Sequence, residues 1–392
     1  MKRYIALLGC ICLLMTLLTG CLPQFMPDED ESASYEKTDY EKKLDELIDL
    51  LSEVYVDGYS TEQLGDYLAQ AAIEATGDRW SYYISAEEYA SYLEDTNNEY
   101  VGIGVTVQLL NEDDPGFSIL EVNKNGPAYT AGLQVNDVIL AVEGANSLEL
   151  GIDGVKDAIR GEAGTEVTLT ILRDGEELDI TIPRAVIEYE IVTYQMLDSV
   201  GYIKISDFQA HCAQRSIEAI EDLLRQGATA LIFDVRYNPG GRKSELVELL
   251  DYLLPEGILF RSVDYKGRES VDESDASTYL DIPMAVLVNE DSYSAAEFFA
   301  AALQEYEWAT VVGTQTVGKG NYQQTYLLSD GSAVAVSTGH YSTPLGNNLE
   351  GVGITPDVIA EVDDETYLDL YYERIEWTED PQLLAALEAV AE

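Results

Sequence analysis

Two apolar runs, "ALIFDV" at residues 230–235 and "MAVLV" at 284–288, constrain this 392-residue chain more than anything else in it. Neither alternates apolar with polar, so a strand made from either must have both faces covered, as happens in a sheet with helices on each side. The intervening chain supplies such helices. "AQRSIEAIEDLLRQG" stops on a glycine and "RKSELVELLDYLLP" on a proline, both ordinary helix endings. "VGYIKIS" upstream, and "ATVVG", "YQQTYLL" and "SAVAVSTGHYS" downstream, read as further strands. Residues 187–363 are therefore expected to form an α/β domain with a largely buried sheet, closed by an acidic helical tail at 364–392.

The pattern upstream is different. Leu44, Leu47, Ile48, Leu51 and Val54, then Leu64, Tyr67, Leu68, Ala71 and Ala72, recur at helical spacing, so residues 37–96 read as a helical region. Core packing explains these stripes, and a homodimer is a second possibility. Residues 97–186 change to short strands with glycine turns and one helix over Gly154–Ile159, which predicts a small β-rich module.

The first twenty residues join Lys2 and Arg3 to an apolar run too short for an ordinary membrane span, the pattern of a secretory leader. The run ends in Leu18-Thr19-Gly20-Cys21, which resembles the lipobox of bacterial lipoproteins and implies a diacylated Cys21. A soluble secreted protein cut nearby, or a retained anchor, is the other reading. On either, the body works outside the cytoplasm, behind an acidic, proline-punctuated spacer at 21–36. Loss of the leader takes the formal charge from −51 to −53, since Lys2 and Arg3 leave and no acid does. So acidic a body disfavours nucleic acid and anionic lipid as partners. Of four cysteines, Cys10 and Cys12 leave with the leader and Cys21 takes the lipid. Cys212 then stands alone and no intrachain disulfide forms.

Three stretches carry chemistry. In "VNEDSYSAAEFFAAAL", residues 288–303, Ser294 and Glu297 fit the capping box S-x-x-E. A serine there also lies where a helix N-terminus stabilises negative charge. His211 and His340 are the two histidines, and neither sits in a pattern that marks a base or a zinc site. The second stretch, "GTQTVGKGNYQQ", sets Lys319 between glycines that let backbone approach, and a lysine desolvated there would lose its proton more readily. Gly313–Lys319 also spells G-x-x-x-x-G-K, but Gly320 stands where a phosphate-binding loop needs Ser or Thr, and strand-like alternation follows, so nucleotide binding is rejected. The third, "DVRYNPGG" at 234–241, is a turn at the end of a buried strand whose glycine N–H groups could serve an oxyanion hole.

In order and spacing, "LIFDVRYNPGG", "VLVNEDSYSAAEFFAAAL" and "VVGTQTVGKGNYQ" resemble the C-terminal processing peptidases, the tail-specific serine proteases of peptidase family S41. "TGDRWSYYIS" and "EGVGITPDV" fall in that family's order too. "YVGIGVTV" with "GPAYTAGLQVNDVILAVEG" resembles PDZ domains. The resemblance implies a crotonase-like α/β catalytic core, Ser294 rather than Ser292 as nucleophile, Lys319 as general base and Gln323 as the residue that orients it. It implies an oxyanion hole from the backbone N–H groups of Gly240 and Ala295, and a peptide-carboxylate loop at Gly102, Ile103, Gly104 and Val105. No metal or cofactor is implied. Two departures, Tyr293 within the serine motif and Val317 before "GKG", touch substrate preference and no reacting group. The expected protein is an exported, lipid-tethered serine endopeptidase that recognises its protein substrates through their C-termini. The alternative is a non-catalytic PDZ-containing scaffold of the cell envelope.

Overall fold

A computed structural model describes residues 37–111 and 113–391; the leader, Cys21 and the spacer lie outside them. The chain runs through helices α1 (Asp39–Val54) and α2 (Thr61–Glu74), strand β1 (Tyr82–Ile84) and helix α3 (Ala86–Thr96). Next come β2 (Glu99–Gly102), β3 (Val105–Gln108), β4 (Phe117–Val122), the one-turn α4 (Pro127–Thr130), β5 (Val138–Val142), β6 (Ala145–Asn146) and α5 (Ser147–Ile159). Then follow β7 (Glu166–Arg173), β8 (Glu176–Pro183), β9 (Ala185–Glu188), β10 (Val192–Leu197), β11 (Val200–Ile205), α6 (Cys212–Gln226), β12 (Ala230–Asp234) and α7 (Lys243–Leu253). The remainder is β13 (Gly257–Asp264), β14 (Glu269–Ser274), β15 (Met284–Val288), α8 (Ala295–Glu305), β16 (Thr310–Gly313), β17 (Asn321–Leu327), β18 (Ala333–Ser342), β19 (Val358–Ile359), α9 (Asp364–Tyr371) and α10 (Pro381–Ala389). Among the described residues no helix is long and apolar enough to cross a membrane.

The chain divides into two compact units. One gathers the described residues up to Ala90 with 263–268 and 321–340. In it β1 and β17 both pair antiparallel with β18, and the Tyr83 hydroxyl donates to Asp66 at 2.7 Å, tying β1 to α2. Neither α1 nor α2 has a fully buried residue. The apolar stripe of α1 is left partly open, with Leu47, Leu50 and Val54 exposed.

The larger unit holds the β-rich module and the α/β domain. The module is an antiparallel sheet in the order β3-β4-β5-β7-β8, with β6 beside β5. Ile119, Ile139, Leu169, Ile171 and Ile182 fill its core beneath Val155 and Ile159 of α5. That helix begins at Ser147, earlier than the periodicity predicts. The Asn146 side chain caps it by accepting from Leu148 and Glu149, and Gly151, at φ 70°, bends it. The helix therefore carries a break that hides its first turn from a pattern search.

The α/β domain is built on a sheet in the order β10-β11-β12-β15-β16-β19, parallel from β11 onward with β10 antiparallel at one edge. Every residue of β12 and β15 is buried. Leu231 and Phe233 join the cluster beneath α6, α7 and α8. Ile232, between them, joins Leu383, Ala386 and Val390 around α10 on the other face. Helices on both faces are the reason these runs lack alternation. A right-twisted parallel sheet of this kind leaves its open crevice at the carboxyl ends of the strands. The turn after β12, the loop after β15 and the loop after β16 all leave the sheet at that end.

Candidate active site

Ser292 and Ser294 share the loop after β15 but are put to different use. The Ser292 hydroxyl donates to the Val235 carbonyl at 2.7 Å and accepts from the Asn289 N–H at 3.0 Å, so it is a structural brace. Ser294 sits at φ 57°, ψ −124°, a backbone region whose cost of roughly 1–3 kcal/mol persists only where neighbours impose it. Two bonds do so here: the Tyr293 N–H donates to the Asn238 carbonyl at 3.1 Å and the Ser294 N–H to the Glu297 carboxylate at 3.0 Å. The glutamate half of the expected capping box is thus made. The Ser294 hydroxyl faces the helix side of that box without a side-chain cap bond of full geometry. It stands at the positive end of α8, where developing negative charge is stabilised.

Glu297 does more than close a cap. Its buried carboxylate also accepts from the Thr316 hydroxyl at 2.5 Å, the Gly318 N–H at 2.7 Å and the Lys319 N–H at 2.9 Å. Burial pushes its pKa up, opposed by these four donors. One carboxylate therefore pins the backbone of the serine loop and the backbone of the lysine loop. The lysine amine lies 5.7 Å from the centroid of the ring of Tyr293, the residue before Ser294 in the chain.

The glycines around the lysine are needed for close approach. A Cβ on Gly318 would lie 2.8 Å from the N atoms of Val352 and Gly353, and one on Gly320 2.4 Å from Asn348 Oδ1. Gly313–Lys319 leads into strand β17, where a phosphate-binding loop would open a helix. Gln323 lies on β17 in the smaller unit, where its Nε2 donates to the Ser337 hydroxyl at 3.0 Å. His340, in that unit also, has Nδ1 2.7 Å from Asn321 Oδ1. His211 caps α6 in a left-handed conformation.

Gly240, at φ 97°, sits against the serine: a Cβ there would come within 2.7 Å of Ser294 Cβ and 2.8 Å of the Ala295 N. Gly240 and the Ala295 N–H are thus brought to one place. The Gly240 N–H donates to Asn238 Oδ1 at 2.7 Å, so an incoming carbonyl oxygen must compete with that carboxamide.

Asp207 lies beside the Gly240 turn. The chain next to it brackets the turn: the Phe208 N–H donates to the Gly240 carbonyl at 2.6 Å and the Arg242 N–H to the Phe208 carbonyl at 2.8 Å. Burial raises the Asp207 pKa to about 7, and its Oδ1 is buried with no partner among the described residues. No residue-type pattern marks such an acid in the sequence.

In the β-rich module, the Ile103 carbonyl accepts from Ala128 at 2.9 Å and the Gly104 carbonyl from Asn123 at 3.0 Å. The Gly104 N–H shares a planar trans peptide with the Ile103 carbonyl and so points the opposite way, away from α4. Val105 begins β3, the terminal strand of its sheet.

Residues 199–360 match the model of peptidase family S41 and residues 118–173 that of a PDZ domain. A CtpA-like serine protease of Staphylococcus epidermidis is 31% identical over 90% of this chain and 72% of its own length. A carboxyl-terminal-processing protease of Synechocystis is 33% identical over 80% and 75%. An S41 protease from Bacteroides fragilis shares the fold at a TM-score of 0.53 and 17% identity, covering 92% of this chain and 99% of that one. Fold and relatives together define a serine protease with a PDZ module set before its α/β core. The chain belongs to peptidase family S41.

Proposed function

We propose that the chain is a carboxyl-terminal-processing endopeptidase whose nucleophile is Ser294 and whose general base is Lys319. The observation that carries this reading is the Glu297 carboxylate, which binds the backbone of both residues' loops at 3.0 and 2.9 Å. Neutral Lys319 takes the hydroxyl proton as Ser294 Oγ bonds to the substrate carbonyl carbon. The oxyanion is held by the Gly240 and Ala295 N–H groups. Collapse breaks the C–N bond, the lysine returns its proton to the leaving amine, and water, deprotonated by the same lysine, hydrolyses the acyl-serine. Gln323 is assigned to orient the lysine on the family pattern alone. The PDZ module takes the substrate's C-terminal carboxylate at Gly102–Val105 and adds the peptide as a strand beside β3. Export, with the body held at the membrane by a lipid on Cys21, rests on the leader sequence.

The test is cleavage of an unstructured peptide by purified wild type, Ser294→Ala and Lys319→Ala. Both variants are expected to lose activity by at least about a thousandfold while binding the peptide unchanged, in line with the non-additive loss seen when one member of a catalytic unit is removed. Ser294→Ala cleaving at the wild-type rate would exclude the assignment and leave the scaffold reading.

A further inference from the structure

The turn that carries Gly240 begins with two residues tied to the C-terminal tail. Arg236 is buried, with its guanidinium directed at Asp234 on one side and at Asp380 and Gln382 on the other. Its Nη2 lies 2.8 Å from Asp380 Oδ2 and its Nη1 3.0 Å from Gln382 Oε1. Asp380 in turn caps α10. The next residue, Tyr237, has a left-handed backbone at φ 60°. An aromatic side chain does not adopt that region unaided. Its N–H donates to Asn289 Oδ1 at 2.9 Å and its hydroxyl to the Tyr367 carbonyl at 3.0 Å. Its ring is flanked by Tyr367 and Tyr371 of α9, edge-on at 5.1 and 5.3 Å between centroids. The Tyr367 hydroxyl donates to Asp291 in the serine loop. One residue further on, Asn238 accepts from the Tyr293 N–H through its carbonyl and from the Gly240 N–H through its side chain.

We propose that residues 364–382 form a clasp that holds Tyr237 in its left-handed conformation and so fixes the Gly240 turn against Ser294. Tyr237, Tyr367 and Tyr371 are then positioning residues for the oxyanion half of the site. The clasp rests on the reading of Ser294 and Gly240 given above. Without it, Tyr237 relaxes toward an ordinary backbone conformation and draws Asn238 and Gly240 with it, which costs stabilisation of the oxyanion and leaves ground-state peptide binding alone.

The test compares kcat, KM and Tm for Tyr371→Ala, Tyr237→Asn, Tyr237→Val and the pair Tyr237→Asn with Tyr371→Ala. Tyr371 is 54% exposed, so its truncation leaves the core intact. Loss of its edge-to-face contact is expected to lower kcat about three- to tenfold at constant KM and nearly constant Tm. Asparagine tolerates the left-handed region and valine does not, so Tyr237→Asn should exceed Tyr237→Val in kcat by about tenfold. In the asparagine background the Tyr371→Ala factor should collapse to about one. Equal kcat for the asparagine and valine variants, a Tyr371→Ala factor that is the same in both backgrounds, or one that moves Tm and not kcat, overturns the clasp. Activity surviving in Ser294→Ala is a different failure: it removes the catalytic reading on which the clasp depends.

Discussion

At the scale of single residues, Glu297 and Asp207 are two buried acids with opposite circumstances. Glu297 faces donors on every side. In Glu297→Gln the new amide group must confront at least one of those N–H or O–H donors, at a cost of about 1–3 kcal/mol for each left unmade. Lower stability in denaturant melts together with a fall in kcat is expected; a variant as stable and active as wild type would contradict the pinning role. Asp207 has no such company. Its pKa, raised by burial to about 7, means the folded state holds the proton more tightly than the unfolded one. The stabilisation is complete below the unfolded carboxyl value and is lost as pH rises through 7. The Asp95 carboxylate raises it further, and Asp207 in turn raises the neighbouring Tyr293 hydroxyl and Cys212 thiol. Asp207→Asn should therefore raise Tm more at pH 8 than at pH 5, and an equal shift at both would show that the burial penalty is not felt. The proposed roles of Ser294 and Lys319 rest on the order and spacing of three stretches, because a capping box and a glycine-flanked lysine are each weak patterns alone. Glu297 was legible only as a cap, and Arg236 and Tyr237 not at all as tail contacts, since their partners are more than a hundred residues away in sequence.

At the scale of elements, β12 and β15 could be read because burial on both faces writes an unbroken apolar run, and α6 and α7 because glycine and proline mark their ends. The helical reading of residues 37–96 covers α3 but also takes in strand β1, and the β13–β14 hairpin carries no strand reading: β1 and β14 are short, largely polar or half-exposed, and bury too little on one face to set a period. Helix α5 starts at Ser147 where its sequence suggests Gly154, because two glycines interrupt its stripe. In the PDZ module the proposed carboxylate loop at Gly102–Val105 rests on the PDZ resemblance, since G-x-G alone marks a tight turn, and its prediction concerns the peptide. A peptide with a free C-terminus should bind at least about tenfold more tightly than its amide, as a charge-assisted hydrogen bond to backbone N–H groups implies. Calorimetry that finds the two equal would mean that β3 takes the peptide, if at all, without reading its end.

At the scale of the whole molecule, a tail at residues 364–390 covers one face of the sheet through α10 and reaches the turn and the serine loop through α9. The central claim is that Ser294 is acylated with Lys319 as its base. The most direct measurement is rapid-quench mass spectrometry on the purified protein mixed with a peptide ester, locating the acyl group by digestion. The account predicts a burst of acyl-enzyme on the Ser294 peptide in wild type, slowed at lower pH as the amine protonates, and none in Lys319→Ala. An acyl group on another residue, or one that forms on Ser294 at the same rate without Lys319, would contradict it.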